Sequence, residues 1–315
     1  MTLAIDGVRL DDPQNIFVIA EASGNHSQDY TKAESLVIAA ADCGANAIKF
    51  QTFVAEDICA DIPFPFGHDV AHDAWARSLG VERLRDLFKL GGLPRDWHKP
   101  LKDLAESLGI TFLSTPFSVD AAKFLVEEVG TKALKIASGD LTFEPLIAYV
   151  SCLDNIPIIV STGGAYYDEI WRIVIHNIHL KAHLALLHCC SSYPADETII
   201  NLKAIKTLSA FSVPVGFSDH TLSVDIVPAL AIANGSTIIE KHIRLEHDHD
   251  SVDAAHSLPP SQFSKMVDVI RTVPSILGTG IKEPHASELH DRLYARRDPS
   301  DWLRPQMRGR LGDWE

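Results

Sequence analysis

Three observations predict a (β/α)8 barrel of the TIM type, an α/β fold, with a short irregular C-terminal tail. Eight short apolar runs recur along the chain, a polar or glycine-containing turn follows each, and helical spacing fills most of the intervals. The runs are mostly continuously apolar, as parallel strands covered on both faces require, and not alternating as a half-solvated sheet would be. The 315 residues suit one large barrel with an appendage, with the barrel expected over 1–280 and the tail over 281–315. A doubly wound open sheet is the runner-up, weakened because no G-x-G-x-x-G follows the first run.

The elements follow in order. NIFVIAE (15–21) is the first strand, and YTKAESLVIAAADCG carries apolar residues at helical spacing up to Gly44. ANAIKFQ (45–51) is the second strand. The interval 52–80, with Pro63, Pro65 and Gly67, reads as a long loop at that strand's C-terminal end, where active-site loops sit. ITFLSTP (110–116) precedes a helix over 118–130 that Ser118 caps and Gly130 ends. ALKIASG (133–139) and PIIVSTG (157–163) are the fourth and fifth strands. LALLHC (184–189) leads to the helix NLKAIKTLSAF, VPVGFSDH (213–220) to the helix VDIVPALAIANG, and STIIEKHI (236–243) closes the set. From HDRLYARRDPSDWLRPQMRGRLGDWE onward the chain is polar and Arg-rich.

Bulk properties narrow the function. A net charge of −14 argues against nucleic acid or an anionic membrane as a partner, while leaving room for a small anion in a local cationic pocket. No apolar run is long enough to span a bilayer, and MTLAIDGVRL lacks a basic region followed by an apolar segment, so a cytoplasmic protein is expected. The five cysteines, Cys43, Cys59, Cys152, Cys189 and Cys190, have no C-x-x-C or framework spacing and read as reduced residues.

The polar residues gather at one end of the runs: Glu21; Lys49 and Gln51; Ser114 and Thr115; Lys135 and Ser138; Ser161 and Thr162; His188; Ser218 and His220; Glu240 and His242. In a barrel these ends converge on the catalytic face. A single polar residue in a strand is ordinarily a satisfied core group; the same placement in eight strands predicts a catalytic face. Residues two apart share a strand face, which groups Lys49 with Gln51, Ser218 with His220 and Glu240 with His242. Histidines on the last two strands suit a divalent metal, although lone histidines in apolar strands are more often structural. His247, His249 and His256 read as a solvated loop. Lys49 and Lys135 need either a buried carboxylate or an anionic ligand, and the hydroxyls of Thr115, Ser138, Ser161 and Ser218 suit a phosphate cradle. A Schiff base on a barrel lysine is the alternative chemistry; two lysines with several hydroxyl donors favour anion binding. Within STIIEKHIRL, Lys241 alternates to the opposite face and reads as a structural or snorkelling residue.

In order, IAEASGNHSQDYTKA, GANAIKFQT, STPFS, LKIASGD, IIVSTGG, LLHCCSSYP, GFSDHT and IIEKHI resemble the sialic acid synthase family over about residues 15–278. The resemblance implies condensation of phosphoenolpyruvate with an N-acylated amino sugar, such as N-acetylmannosamine or a dideoxy analogue, to a nonulosonic acid and phosphate. It places Lys49, Thr115, Lys135, Ser138, Ser161, Ser218 and Ser191 on phosphoenolpyruvate, Glu21 by the reacting enol carbon, and Mn2+ or Mg2+ on His220 and His242. Gln51, Asp140, Tyr193, Glu240 and Asp253 are implied to contact the sugar or the metal-bound water.

Two motifs depart from the family pattern: SGE is SGD here, at Asp140, and the Asn of N-x-Y-P is Ser191. The family also continues into an antifreeze-like domain that, in a domain-swapped homodimer, gives an arginine to the partner's sugar site; residues 281–315 resemble only the opening of that junction. The same condensation on another aldehyde, and a non-catalytic binding barrel, are the other readings.

Overall fold

Eight parallel strands close on themselves in the computed structural model of the protein, which describes residues 3–63, 80–176 and 183–306. A short hairpin of β1 (Ala4–Ile5) and β2 (Val8–Arg9) precedes them. The barrel runs β3 (Phe17–Glu21), β4 (Ala47–Thr52), β5 (Thr111–Pro116), β6 (Leu134–Ile136), β7 (Ile158–Ser161), β8 (Leu184–Cys189), β9 (Val215–Asp219) and β10 (Ile238–His242), and β10 pairs back onto β3. This is the (β/α)8 barrel expected from the run pattern.

Alternation divides the apolar residues into two cores. Phe17, Ile19, Ala47, Leu113, Ala133, Ile159, Leu187 and Ile238 fill the barrel interior with Leu3, Ile5 and Leu10 of the N-terminal hairpin. The hairpin sits at the strand-start end, where the Thr237 hydroxyl donates to the Leu10 carbonyl at 2.5 Å. Val18, Ile48, Phe50, Phe112, Ile136, Val160, Phe217 and Ile239 face the helices instead. Each such buried side chain contributes about 1.5–3 kcal/mol of transfer free energy. Gly216 is inward-facing where β10 comes close: a Cβ there would lie 2.5 Å from the Ile238 carbonyl oxygen.

The helices follow from caps and burial. The helix Tyr30–Asp42 starts at Asp29, whose carboxylate accepts from the Thr31 and Lys32 amides, and it buries Leu36, Val37 and Ala40. The predicted helix over 118–130 is α-helical only over Val119–Lys123; it widens to a π-turn over Phe124–Val129 and ends at Gly130 in the left-handed region.

Other boundaries moved. The expected strand over 133–139 stops at Ile136, because Ser138–Asp140 form a 3-10 turn. Within the expected loop over 52–80, Ala55–Ile58 are helical and Pro63 bridges Arg83; Pro65 and Gly67 lie outside the described residues.

By contacts the chain divides into two compact units, Met1–Ile276 and Leu277–Glu315. The second is not wholly irregular. Reciprocal capping between His285 and Glu288 opens a 3-10 turn, Ala286–Glu288, that runs into the helix Leu289–Ala295. No described helix is long and apolar enough to cross a membrane.

Candidate active site

The inward alternation that stacks apolar residues low in the barrel brings charge at the next step up. Glu21 lies two residues beyond Ile19, Lys49 beyond Ala47, Lys135 beyond Ala133 and Glu240 beyond Ile238. Strand register sets Glu21 beside Lys49, and Ser218 beside Glu240. The four ionisable groups are buried and paired: Lys49 with Glu21, Lys49 with Glu240 at 3.6 Å, and Lys135 with Glu240 at 3.5 Å. The Lys49 ammonium also donates to the Thr115 hydroxyl at 3.1 Å, and the Ser218 hydroxyl to Glu240 at 2.8 Å.

Their protonation follows from position. Burial pushes the Glu21 carboxyl up, to about 7, with Glu240 adding to the rise and Lys49 opposing it. Glu240 suffers the same burial, but Lys135 and Lys49 together hold it well below the usual carboxylate range. Burial alone would lower Lys49, yet Glu21 and Glu240 hold its ammonium above the ordinary value. Burial lowers Lys135, with Glu240 opposing. The centre is a preformed cationic pair held by carboxylates, one of which titrates near neutrality.

Hydroxyls flank this centre. The Ser138 hydroxyl accepts from the Gly163 amide at 2.9 Å, and Ser161 Oγ is buried with no hydrogen-bond partner. A Cβ on Gly163 would run into Ser191 Oγ and come within 2.9 Å of Ser138 Oγ and 3.0 Å of Cys189 Sγ, so these three groups converge on one open backbone position. Ser161 lies two residues beyond the inward Ile159, the register partner of Lys135, so a buried hydroxyl without a partner sits on the strand next to that ammonium, an arrangement an anion would complete.

Beyond the lysines stand the histidines. His220 and His242 are buried, with ring centroids 5.6 Å apart, and Tyr193 lies 4.2 Å from the His220 ring. His220 Nδ1 is 2.8 Å from the Cys190 carbonyl, which fixes that nitrogen as the N–H and leaves Nε2 as the lone-pair donor. His242 Nδ1 is buried without a hydrogen-bond partner. Burial keeps both imidazoles neutral, His220 down to about 4 and His242 well below its ordinary value. Neutral, oriented rings with an orphaned nitrogen fit a divalent metal, and His242, Asp253 and His256 form a possible metal-binding group, with ligand atoms within 4.8 Å of one another.

Two expectations need correction and a third is narrowed. His256 is not part of a solvated loop: it is 6% exposed, with its ring 4.5 Å from that of His242. His247 and His249 are exposed, as expected. His188 does not reach the site; it faces outward, stacked on Phe217 and bonded to the Ile200 carbonyl at 2.6 Å. Of the two readings of Lys241, structural or snorkelling, the structural one holds. The side chain is fully buried and paired with Asp219 at 2.8 Å.

Of the residues expected at the sugar, Gln51 donates to the Ser23 hydroxyl at 2.7 Å and Asp253 accepts from the Gly24 amide at 3.1 Å. Asp140 lies in its 3-10 turn with Oδ2 buried and unpartnered, and burial raises its carboxyl to about 6. Sequence reasoning missed Asn25. Its Oδ1 accepts from the Ser251 hydroxyl and the Asp253 amide, and its Nδ2 donates to Ser257 Oγ and the Ile243 carbonyl. The NH of the first motif was its one trace in the sequence.

Residues 36–282 match the NeuB family. The chain belongs to the NeuB family. It is 38% identical over 288 residues to the N,N'-diacetyllegionaminic acid synthase of Legionella pneumophila, covering 89% of this chain and 78% of that protein. It is 32% identical to the pseudaminic acid synthase of Campylobacter jejuni, covering 90% and 81%. Among solved structures, the N-acetylneuraminic acid (sialic acid) synthetase of Leptospira borgpetersenii, in complex with citrate, superposes with a TM-score of 0.79 at 33% identity, covering 92% of this chain and 95% of that one. This NeuB family barrel is thus an enzyme, a carbon–carbon bond-forming synthase of the transferase type.

Proposed function

We propose that the protein condenses phosphoenolpyruvate with the open-chain aldehyde of an N-acylated amino sugar, releasing phosphate and a nonulosonic acid. The observation that carries this reading is the buried Lys49 and Lys135, both within 3.6 Å of Glu240, at the same inward end of the barrel strands as the unpartnered Ser161 hydroxyl, with Ser138 and Ser191 converging at Gly163. Two ammonium groups and several hydroxyls match the phosphate and carboxylate of phosphoenolpyruvate. The 3.5 Å pair with Glu240 favours a charged Lys135 over an amine nucleophile.

The chemistry balances as follows. C3 of phosphoenolpyruvate forms the new bond to the aldehyde carbon, whose oxygen takes a proton, and C2 becomes cationic. Glu21, as carboxylate, stabilises that charge and accepts a proton from the water that adds to C2. The tetrahedral C2 then expels phosphate by C–O cleavage. His220 and His242 would hold a divalent cation, which when bound supplies Lewis-acid polarisation of the aldehyde oxygen. Tyr193 and Asp253 border that position, and Gln51 and Asp140 are assigned to the sugar hydroxyls. A homodimer in the cytoplasm belongs to the same reading, and mass in solution tests the dimer.

The test is phosphate release with a panel of amino sugars, with and without chelator, and mass spectrometry of the product. Release that needs an N-acylated amino sugar supports the proposal. Turnover on an unacylated aldose alone reassigns the substrate, and borohydride trapping of a Lys135 adduct would overturn the mechanism.

A further inference from the structure

Around His242 the structure gathers one more imidazole than the reading above uses. His256 follows Asp253 by three residues through the 3-10 turn Ala254–His256. In such a turn side chains three apart lie one above the other, so Asp253 and His256 face the same way; their Oδ1 and Nε2 are 3.5 Å apart. The turn is tied down at both ends. Asn25 holds Ser251, Asp253 and Ser257, and the Ser257 hydroxyl closes on the Asp253 carbonyl at 2.6 Å. Leu258 then pairs with the strand that carries His242, its amide donating to the His242 carbonyl at 2.9 Å.

This anchoring brings together two buried nitrogens that lack any hydrogen-bond partner, His242 Nδ1 and His256 Nε2. Leaving a buried polar atom without a hydrogen bond is unfavourable, and the 3.5 Å approach of Asp253 Oδ1 to His256 Nε2 does not amount to one. His242 and His256 are each more than nine-tenths buried. One ion shared between them and Asp253 satisfies both nitrogens at once.

We propose that His256 is a third imidazole ligand, with Asp253 as an oxygen ligand, of the divalent site built on His220 and His242. This rests on the metal-dependent reading above and sharpens it. A site of three imidazoles and one carboxylate takes a first-row transition ion such as Mn2+ or Co2+ in preference to Mg2+, which favours oxygen ligands and water.

The experiment measures metal binding, not turnover, on the full chain and its His256→Ala, His256→Gln and His220→Ala variants. Mn2+ affinity is read from the free-ion EPR signal, Mg2+ affinity by calorimetry, and the ligand field from the visible bands of bound Co2+. His256→Ala is expected to weaken Mn2+ and Co2+ at least as much as losing an outer-shell partner does, about 10–100-fold, and to shift the Co2+ bands. His220→Ala should weaken both ions as well, and Mg2+ should bind the parent chain more weakly than Mn2+. If His256→Ala does not fold, by far-UV circular dichroism, His256→Gln carries the same reading. Unchanged affinity and bands in a folded His256 variant, with His220→Ala impaired, overturn the third ligand and leave the two-histidine site standing. Mg2+ binding as tightly as Mn2+ overturns the selectivity. No metal binding by the parent chain removes the metal reading itself.

Discussion

Replacing Lys241 by Met tests whether the outward face of β10 holds the inward face in place. Lys241 and Asp219 are both fully buried, and the ammonium donates to Asp219 Oδ2 at 2.8 Å, the Thr221 carbonyl at 2.5 Å and the Ser223 carbonyl at 3.2 Å. Burial lowers the lysine's pKa and Asp219 opposes this. Methionine fills most of the volume, so cavity formation is small, but it leaves the Asp219 carboxylate with the Thr221 amide alone and strips a donor from two carbonyls. Removing one member of a buried pair typically costs about 3–5 kcal/mol. With a urea slope of about 3 kcal/mol/M, the unfolding midpoint falls by roughly 1–1.7 M. The double variant Asp219→Asn with Lys241→Met should recover part of that loss, because no uncompensated charge remains. The assay is urea titration by far-UV circular dichroism. A single-variant loss under about 1 kcal/mol, or a double variant no better than the single, would refute the claim that this pair is a structural anchor.

Other perturbations separate the roles inside the barrel. Glu21→Gln keeps the shape and removes the titrating carboxyl; turnover should fall by about 10²–10⁴ with phosphoenolpyruvate still binding by calorimetry. In the parent protein kcat/KM should rise with pH through about 7 as Glu21 ionises, and that limb should vanish from the variant's residual activity. Gly163→Ala pushes a methyl into Ser138, Ser191 and Cys189, and the overpacking of about 1–3 kcal/mol should appear as a raised KM for phosphoenolpyruvate. Asp140→Asn should stabilise the free protein, because a carboxyl raised from 3.8 to about 6 opposes folding once ionised. The effect is absent below pH 3.8, grows up to about 6 and is then constant. Partial exposure reduces it to about 1 kcal/mol, read from melting curves at pH 4 and pH 8.

The inward set Glu21, Lys49, Lys135, Ser218 and Glu240 was legible because the pleat imposes a period of two whatever the surroundings. An apolar run with a charge at its finishing end therefore reports both strand and face. His188 broke that reading because it lies one step out of phase with the inward Leu187 and Cys189 of its own strand. His256 was illegible for another reason. No periodicity governs the turn that carries it, and its burial depends on Asn25 bonding to residues 226 and 228 positions further along the chain. Lys241 was placed on the correct face, but nothing local announced that Asp219, 22 positions earlier, would meet it without solvent between them.

The depth of the two lysines also bears on how fast the substrate is caught. An anion approaching from solution meets the field of a chain carrying −14 before it meets Lys49 or Lys135, each at most 4% exposed. That outer field is screened within a Debye length of about 10 Å at 0.1 M salt, whereas contacts out of reach of water are screened far less. Raising ionic strength should therefore quicken the capture of phosphoenolpyruvate while barely changing its escape. Speed of encounter would belong to the acidic exterior, and residence time to two ammonium groups the exterior conceals.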